Sequence, residues 1–310
     1  MSSLRMKLRV LLLALAVAAQ AVPCNGQPGN YPFVAANYPR GSRGEDLWLF
    51  PPDEPVATSN LPYELAGATF AADGRAIYGI SPISPNGVNQ GLPGVLKIEF
   101  EPLRVAPVPG TEAFMVQDFA VSAGQDKILI AVWTAKDRRC DLFEVKIPGG
   151  RAERILDFDC QPAGRNLSLS PDGEWAVATA RDSHLDLIDL VHRTVRPLCS
   201  EESVGVWSPD GKWIAVFSKR HYVYLIDAHD IKRRRALGTA WGVVPAWSPD
   251  SRYLLLWKQH LFRCGFYLDI EPPASFEILD IESGRRSTVQ SSFCKLTNGT
   301  SGWLRRDVVK

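Results

Sequence analysis

The sequence predicts an all-β protein, a six-bladed β-propeller of four-stranded antiparallel blades whose ring is closed by N- and C-terminal strands sharing one blade. Three observations carry this. Leu167-Ser-Leu-Ser-Pro-Asp-Gly-Glu-Trp-Ala-Val-Ala178 recurs as Val204-Gly-Val-Trp-Ser-Pro-Asp-Gly-Lys-Trp-Ile-Ala-Val216 and as Val244-Pro-Ala-Trp-Ser-Pro-Asp-Ser-Arg-Tyr-Leu-Leu-Leu256. Asp172, Asp210 and Asp250 fall 38 and 40 residues apart, and a period near forty marks a radial or stacked array. Short runs of Val, Ile, Leu and Trp flank every copy, while the apolar spacing of a helix is almost absent.

The turn at the centre of each copy explains the unit. Pro presets φ, Asp accepts hydrogen bonds from nearby backbone N–H groups, and Gly takes the left-handed conformation after a type I turn. Such a turn closes a hairpin. Degenerate copies lie upstream. Ala68-Thr-Phe-Ala-Ala-Asp-Gly-Arg-Ala-Ile-Tyr78 keeps the turn, and Phe119 to Ile130 keeps its outline. A second hairpin follows each copy, starting at Val95 to Phe100, Leu142 to Val145, Leu185 to Leu190, Tyr222 to Asp227 and Phe276 to Asp280. Two hairpins make the four strands of one blade. At the ends, Asp46 to Thr58 reads as an outer hairpin without an inner one, and Phe293 to Val309 as an inner hairpin without an outer one. Joining them gives the sixth blade and removes open sheet edges. Five blades with loose ends is the alternative left open.

Residues 1–21 read as a secretory signal. Arg5, Lys7 and Arg9 precede an apolar run from Val10 to Ala19, and Ala19-Gln20-Ala21 is a small-x-small cleavage site. The apolar run is about half of what spans a bilayer, so no stable membrane span is expected. Cleavage after Ala21 implies a secreted or periplasmic protein. Pro23 disfavours lipid anchoring at Cys24. Residues 22–43, rich in Pro, Gly and Asn, read as a flexible lead-in, and 44–310 as the propeller. With 45% hydrophobic and 22% charged residues the chain is globular, and a net charge of +1 speaks against nucleic-acid binding. The six cysteines lack C-x-x-C spacing, and their pairing is not readable from sequence.

The Ser-Pro-Asp-Gly hairpins, followed by strands ending in Ile-Asp or Leu-Asp, resemble the WD-like propeller repeats of the TolB family. They are also similar to the propeller of the dipeptidyl peptidase family. The resemblance covers roughly residues 44–310 and is marked in three blades. TolB carries an α/β domain before its propeller, where this sequence has about twenty residues. The resemblance implies a scaffold whose rim loops and channel hold another molecule, and it is nearly silent on chemistry.

No nucleophile elbow, H-E-x-x-H pair or phosphate loop occurs. Asp172, Asp210 and Asp250 are accounted for by the turns, and the aligned pairs Trp207/Trp247 and Trp175/Trp213 by blade packing. No catalytic residue, metal ligand or cofactor is assigned. One constellation stands out. The loop between the second and third strands of successive blades carries Lys136, Arg138 and Arg139, then Arg181 and His184, then Lys219, Arg220 and His221, then Lys258, His260 and Arg263. Ring symmetry would gather these bases on one face, where they could attract an acidic peptide or anionic glycan. The long loop Ser81 to Gly94 belongs to the same face. Asn166 and Asn298 begin glycosylation triplets. The reading is an exported, non-catalytic, monomeric binding module for a protein, peptide or anionic glycan. Its rival is a propeller-class hydrolase or lyase acting on a glycan or lactone.

Overall fold

The computed structural model describes residues 33–37, 46–50, 57–58, 67–80, 94–100, 103–134, 139–160, 167–181, 184–200, 202–218, 220–240, 245–258, 275–290 and 301–303. Its strands, in chain order, begin with β1 (Phe33–Asn37), β2 (Asp46–Phe50) and β3 (Ala57–Thr58). The first blade is β4 (Gly67–Phe70), β5 (Ala76–Ile80), β6 (Val95–Phe100) and β7 (Leu103–Pro107). The second is β8 (Val116–Val121), β9 (Lys127–Thr134), β10 (Arg139–Lys146) and β11 (Glu153–Phe158). The third is β12 (Ser168–Leu169), β13 (Trp175–Thr179), β14 (Leu185–Asp189) and β15 (Thr194–Cys199). The fourth is β16 (Glu202–Trp207), β17 (Trp213–Ser218), β18 (Tyr222–Asp227) and β19 (Arg234–Thr239). The fifth is β20 (Ala246–Trp247), β21 (Tyr253–Lys258), β22 (Ser275–Asp280) and β23 (Arg286–Gln290), and β24 (Ser301–Trp303) ends the series.

This corrects the expectation of six like blades. Five blades of four consecutive strands are formed, and the termini contribute something different, a composite sheet in the order β24-β1-β2-β3. Its make-up is three strands from one end and one from the other, not two hairpins. The reason lies in Phe33-Val-Ala-Ala-Asn37, inside the stretch read as an irregular lead-in. It pairs in register with β2 from Phe33↔Phe50 to Asn37↔Asp46, and with β24 from Phe33↔Trp303 to Ala35↔Ser301. The Pro, Gly and Asn around it masked a five-residue run with ordinary strand character.

Strand alternation divides each blade's side chains between two seams. On β13, Ala176 and Ala178 pack towards the second blade with Leu129, Ala131 and Leu142, while Val177 packs towards the fourth with Ile214 and Val216. Both faces are buried, as in sheets sandwiched between neighbours. The other described seams are built the same way. Tyr78, Ile80, Ile128 and Ile130 join the first two blades, and Ala215, Leu225, Leu254 and Leu279 the last two. At Gly205 an added Cβ would lie 2.6 Å from Leu185 Cδ2, so only glycine lets the third and fourth blades approach this closely.

The turns between first and second strands share one hydrogen-bond pattern. Ser170, Ser208 and Ser248 donate through Oγ to Asp172, Asp210 and Asp250, and accept from the backbone N–H of Trp175, Trp213 and Tyr253. In the degenerate second blade, Ser122 bonds Asp126 instead and accepts from Lys127 N–H. The left-handed position is filled by Gly74, Gln125, Gly173, Gly211 and Ser251, with φ between 55° and 74°. The two residues that are not glycine reach across seams. Gln125 donates to Asp73 Oδ2 at 2.8 Å and accepts from the Tyr78 hydroxyl at 2.9 Å. Ser251 Oγ accepts from Asp210 N–H at 2.9 Å.

The Ile-Asp and Leu-Asp endings of third strands cap the turn that follows. Asp189 accepts from His192 N–H, Asp227 from His229 and Asp230, and Asp280 from Glu282 and Ser283. Fourth strands carry a β-bulge, at Leu198 in β15 and Leu237 in β19, where the register shifts. Arg234 Nη2 of the next blade lies 3.5 Å from the Leu198 carbonyl. Arg286, at the equivalent register position, donates to the Leu237 and Thr239 carbonyls at 2.8 Å and pairs with Glu277. A disulfide, Cys140–Cys160, ties the start of β10 to the residues after β11, and Cys199 is buried.

Candidate binding site

First strands line a central channel. Consecutive first strands touch from β24 to β4, β8, β12 and β16, and β20 touches β24. Between β16 and β20 the Trp247 indole N–H donates to the Val206 carbonyl at 3.1 Å. Within the channel lies a cavity of about 150 Å³, walled by β4, β8, β12, β16 and β20 and by the turns that follow them. Its wall is mixed, with polar and apolar surface in about equal parts: Phe70, Val121, Leu169 and Trp207 supply apolar side chains, and Thr69, Ser168 and Ser208 supply hydroxyls. Pro171, Pro209 and Pro249, with Ala72 and Ala123 at the matching places, form the rim on the Ser-Pro-Asp side. None of the described lining residues carries an ionisable side chain. Trp207 Nε1 is buried in this wall and finds no hydrogen-bond partner among the described residues, unlike its repeat equivalent Trp247.

The bases singled out in the sequence belong to the opposite end of the blades, where second strands turn into third strands. Arg139 pairs with Asp157 at 2.9 Å, and Arg181 with Asp159 at 3.3 Å while lying 6.0 Å from the Trp133 ring centre. Both therefore flank the segment that leaves β11, one from each side of a seam. His184 Nε2 meets Asp186 Oδ1 at 2.9 Å, with the carboxylate almost wholly buried. Arg220 is described in a tight turn with His221, whose φ is +66°, whose ring is 6.0 Å from that of Phe217 and whose Nδ1 is buried. Lys258 ends β21. Lys136, Arg138, Lys219, His260 and Arg263 lie outside the described residues, as do Ser81 to Pro93, both glycosylation asparagines and residues 1–21. Each described pair sets a carboxylate against a base, which weakens the long-range field that the bases alone would produce.

Hydrogen bonding holds several acids ionised on the Ser-Pro-Asp side. Ser122 keeps the Asp126 carboxyl below the usual range. Burial opposes ionisation of Asp210, but Ser208 and Lys212 outweigh it. Burial, with the Asp73 and Glu99 carboxylates adding to it, pushes the Tyr78 phenol well above its ordinary range. Among the described residues no group of three or more His, Cys, Asp or Glu is placed to hold a metal, and no helix is long and apolar enough to cross a membrane.

No family model matches the chain, and no curated protein does. Solved structures do. TolB from Acinetobacter baumannii superposes with a TM-score of 0.65 at 12% identity, over 89% of this chain and 67% of that one. A chain of the nidogen/laminin complex gives 0.61 at 10% identity, over 89% and 98%. The GH74 enzyme of Niastella koreensis gives 0.52 at 10% identity, over 73% and 37%. At such identities the likeness shows the fold alone, a TolB-like β-propeller, shared by binding proteins and enzymes alike.

Proposed function

We propose that the protein is an exported binding module that seats an extended segment of a partner protein at the channel, on the Ser-Pro-Asp side. The observation that carries this is the cavity wall, in which apolar side chains, hydroxyls and a proline rim, with no ionisable side chain among the described lining residues, surround a space suited to one or two uncharged side chains. The Cys140–Cys160 bond supports passage through an oxidising compartment, in keeping with the leader-like first 21 residues. Bases such as Arg139, Arg181 and Arg220 at the other mouth would add charge selection.

Peptides selected by display against the purified protein test the reading. Ala123→Trp fills the rim at a partly exposed turn position, and peptide affinity is expected to fall about tenfold or more while the melting temperature holds. Selected peptides that bind the Ala123→Trp protein as well as the parent would refute seating at the channel.

A further inference from the structure

A second interaction surface lies away from the channel, on the outer rim. Ile231-Lys232-Arg233-Arg234-Arg235 places four successive bases at the start of β19, all exposed to solvent. Adjacent blades extend the run. On β15, Arg196 stands two residues from Leu198, the carbonyl that Arg234 approaches, so these two guanidinium groups face one seam within about 7 Å of backbone. On the other side Arg235 Nη2 lies 3.5 Å from the Glu282 carbonyl, three residues before exposed Arg285.

What holds these side chains decides their use. Arg196 lies over the Trp175 ring at 5.6 Å, and Arg234 over the Tyr224 ring at 5.6 Å. Arg234 and Arg235 reach backbone carbonyls. Rings and carbonyls orient a guanidinium without cancelling its charge. Among the described residues only Arg233 of the four is set against a carboxylate, Asp227 at 3.6 Å, and Lys232 makes no ion pair. Arg139, Arg181 and Arg286 are by contrast each set against a carboxylate. Among the described residues, Asp230 and Glu282 are exposed acids beside the run.

We infer that this rim, from Arg196 through Lys232, Arg234 and Arg235 to Arg285, binds a linear polyanion of the sulfated or uronic-acid glycan class. The bases follow the convex circumference across three blades, a course that a flexible chain can track. A flat anionic membrane would have to rest on the turn face, which also presents Asp73, Glu174, Asp172, Asp210, Asp230 and Asp250. The inference is independent of the channel reading, and the two fail separately.

The probe is a size-defined heparin oligosaccharide, titrated against the whole protein at several salt concentrations. Lys232→Glu/Arg235→Glu is expected to weaken binding about tenfold or more and to flatten the salt dependence by about two counterions. Lys232→Gln/Arg235→Gln should fall between, with an unchanged circular dichroism spectrum as the check on folding. Arg139→Glu/Arg181→Glu, on the opposite face, should leave oligosaccharide binding unaltered. Absence of binding, equal loss in both pairs of variants, or binding to phosphatidylglycerol vesicles in place of the oligosaccharide would each overturn the assignment.

Discussion

Gln125 occupies a backbone conformation that costs a side-chain-bearing residue roughly 1 kcal/mol or more relative to glycine. Its amide is engaged with Asp73 and Tyr78 across the seam between the first two blades, and each such bond stabilises by about 1 kcal/mol net. Gln125→Gly removes both the strain and the two bonds, for a net loss of about 1 kcal/mol. Gln125→Ala keeps the strain and loses the bonds. The alanine variant should therefore be the less stable of the two, by about 1 kcal/mol in urea denaturation. Equal stability of the two variants would mean that the turn is not strained. Sequence reading found the turn here only in outline, because its two recognisable letters, Asp and Gly, had both moved. Asp126 stands two places later than the usual acid, and Gln125 replaces the glycine. Trp207 illustrates a different limit. Its alignment with Trp247 correctly suggested a shared place in the packing, yet one indole N–H is bonded and the other is not, a difference of orientation that alignment does not encode.

At the scale of the hairpin, the aspartate that closes each third strand acts as a cap with a charge. Burial works against ionisation of Asp280, but the Ser283 and Glu282 N–H groups and the Arg252 guanidinium more than offset it, so its carboxyl stays below the usual range. Hydrogen bonds from His192, chiefly its backbone N–H, do the same for Asp189. A carboxyl whose folded value is lowered stabilises fully above its unfolded value, about 3.9 for Asp. That contribution drains away as pH falls through the lower folded value. Asp280→Asn retains an acceptor for the turn and loses the titration. Its melting temperature should lie below that of the parent at neutral pH, and the two curves should converge as pH falls through the lowered value of Asp280. Curves that stay parallel through the acid range would show that the charge contributes nothing. These caps were legible in sequence as the Ile-Asp and Leu-Asp endings, though only as a pattern. Their neighbours, the bulges at Leu198 and Leu237, were not, because a bulge is a property of register between two strands and neither strand announces it alone.

For the molecule as a whole, the repeat period and turn chemistry made the propeller and its five consecutive blades readable in the sequence. The meeting of the termini was read in kind and mistaken in detail, since β1 hides among turn-forming residues and takes the place of a second C-terminal strand. The binding surface was harder still. Sequence spacing pointed to bases between second and third strands; of the described ones, Arg139 and Arg181 lie against Asp157 and Asp159, acids that come close only in three dimensions, and His184 lies against Asp186, two residues on. The channel left no compositional mark, because its lining residues are the same turn and first-strand residues that every blade repeats. Closure can be tested directly. Ending the chain at Thr300 removes β24, which pairs with β1 at three positions and touches both β4 and β20. The truncated protein should melt lower, and its amide exchange should accelerate first in β1, β4 and β20, with β13 and β17 losing protection last. Uniform acceleration throughout would place the ring's weak point elsewhere.

The arginines that reach back to the bulged fourth strands have a bearing on how copies of this protein behave in a crowd. The last strand of any blade is an open ladder, ready to accept a strand from another chain and so to begin a fibre. Arg286 occupies the Leu237 and Thr239 carbonyls with a charged, branched group that an incoming strand would have to displace. The fork that latches one blade to the next is thus also a guard against self-assembly at high concentration.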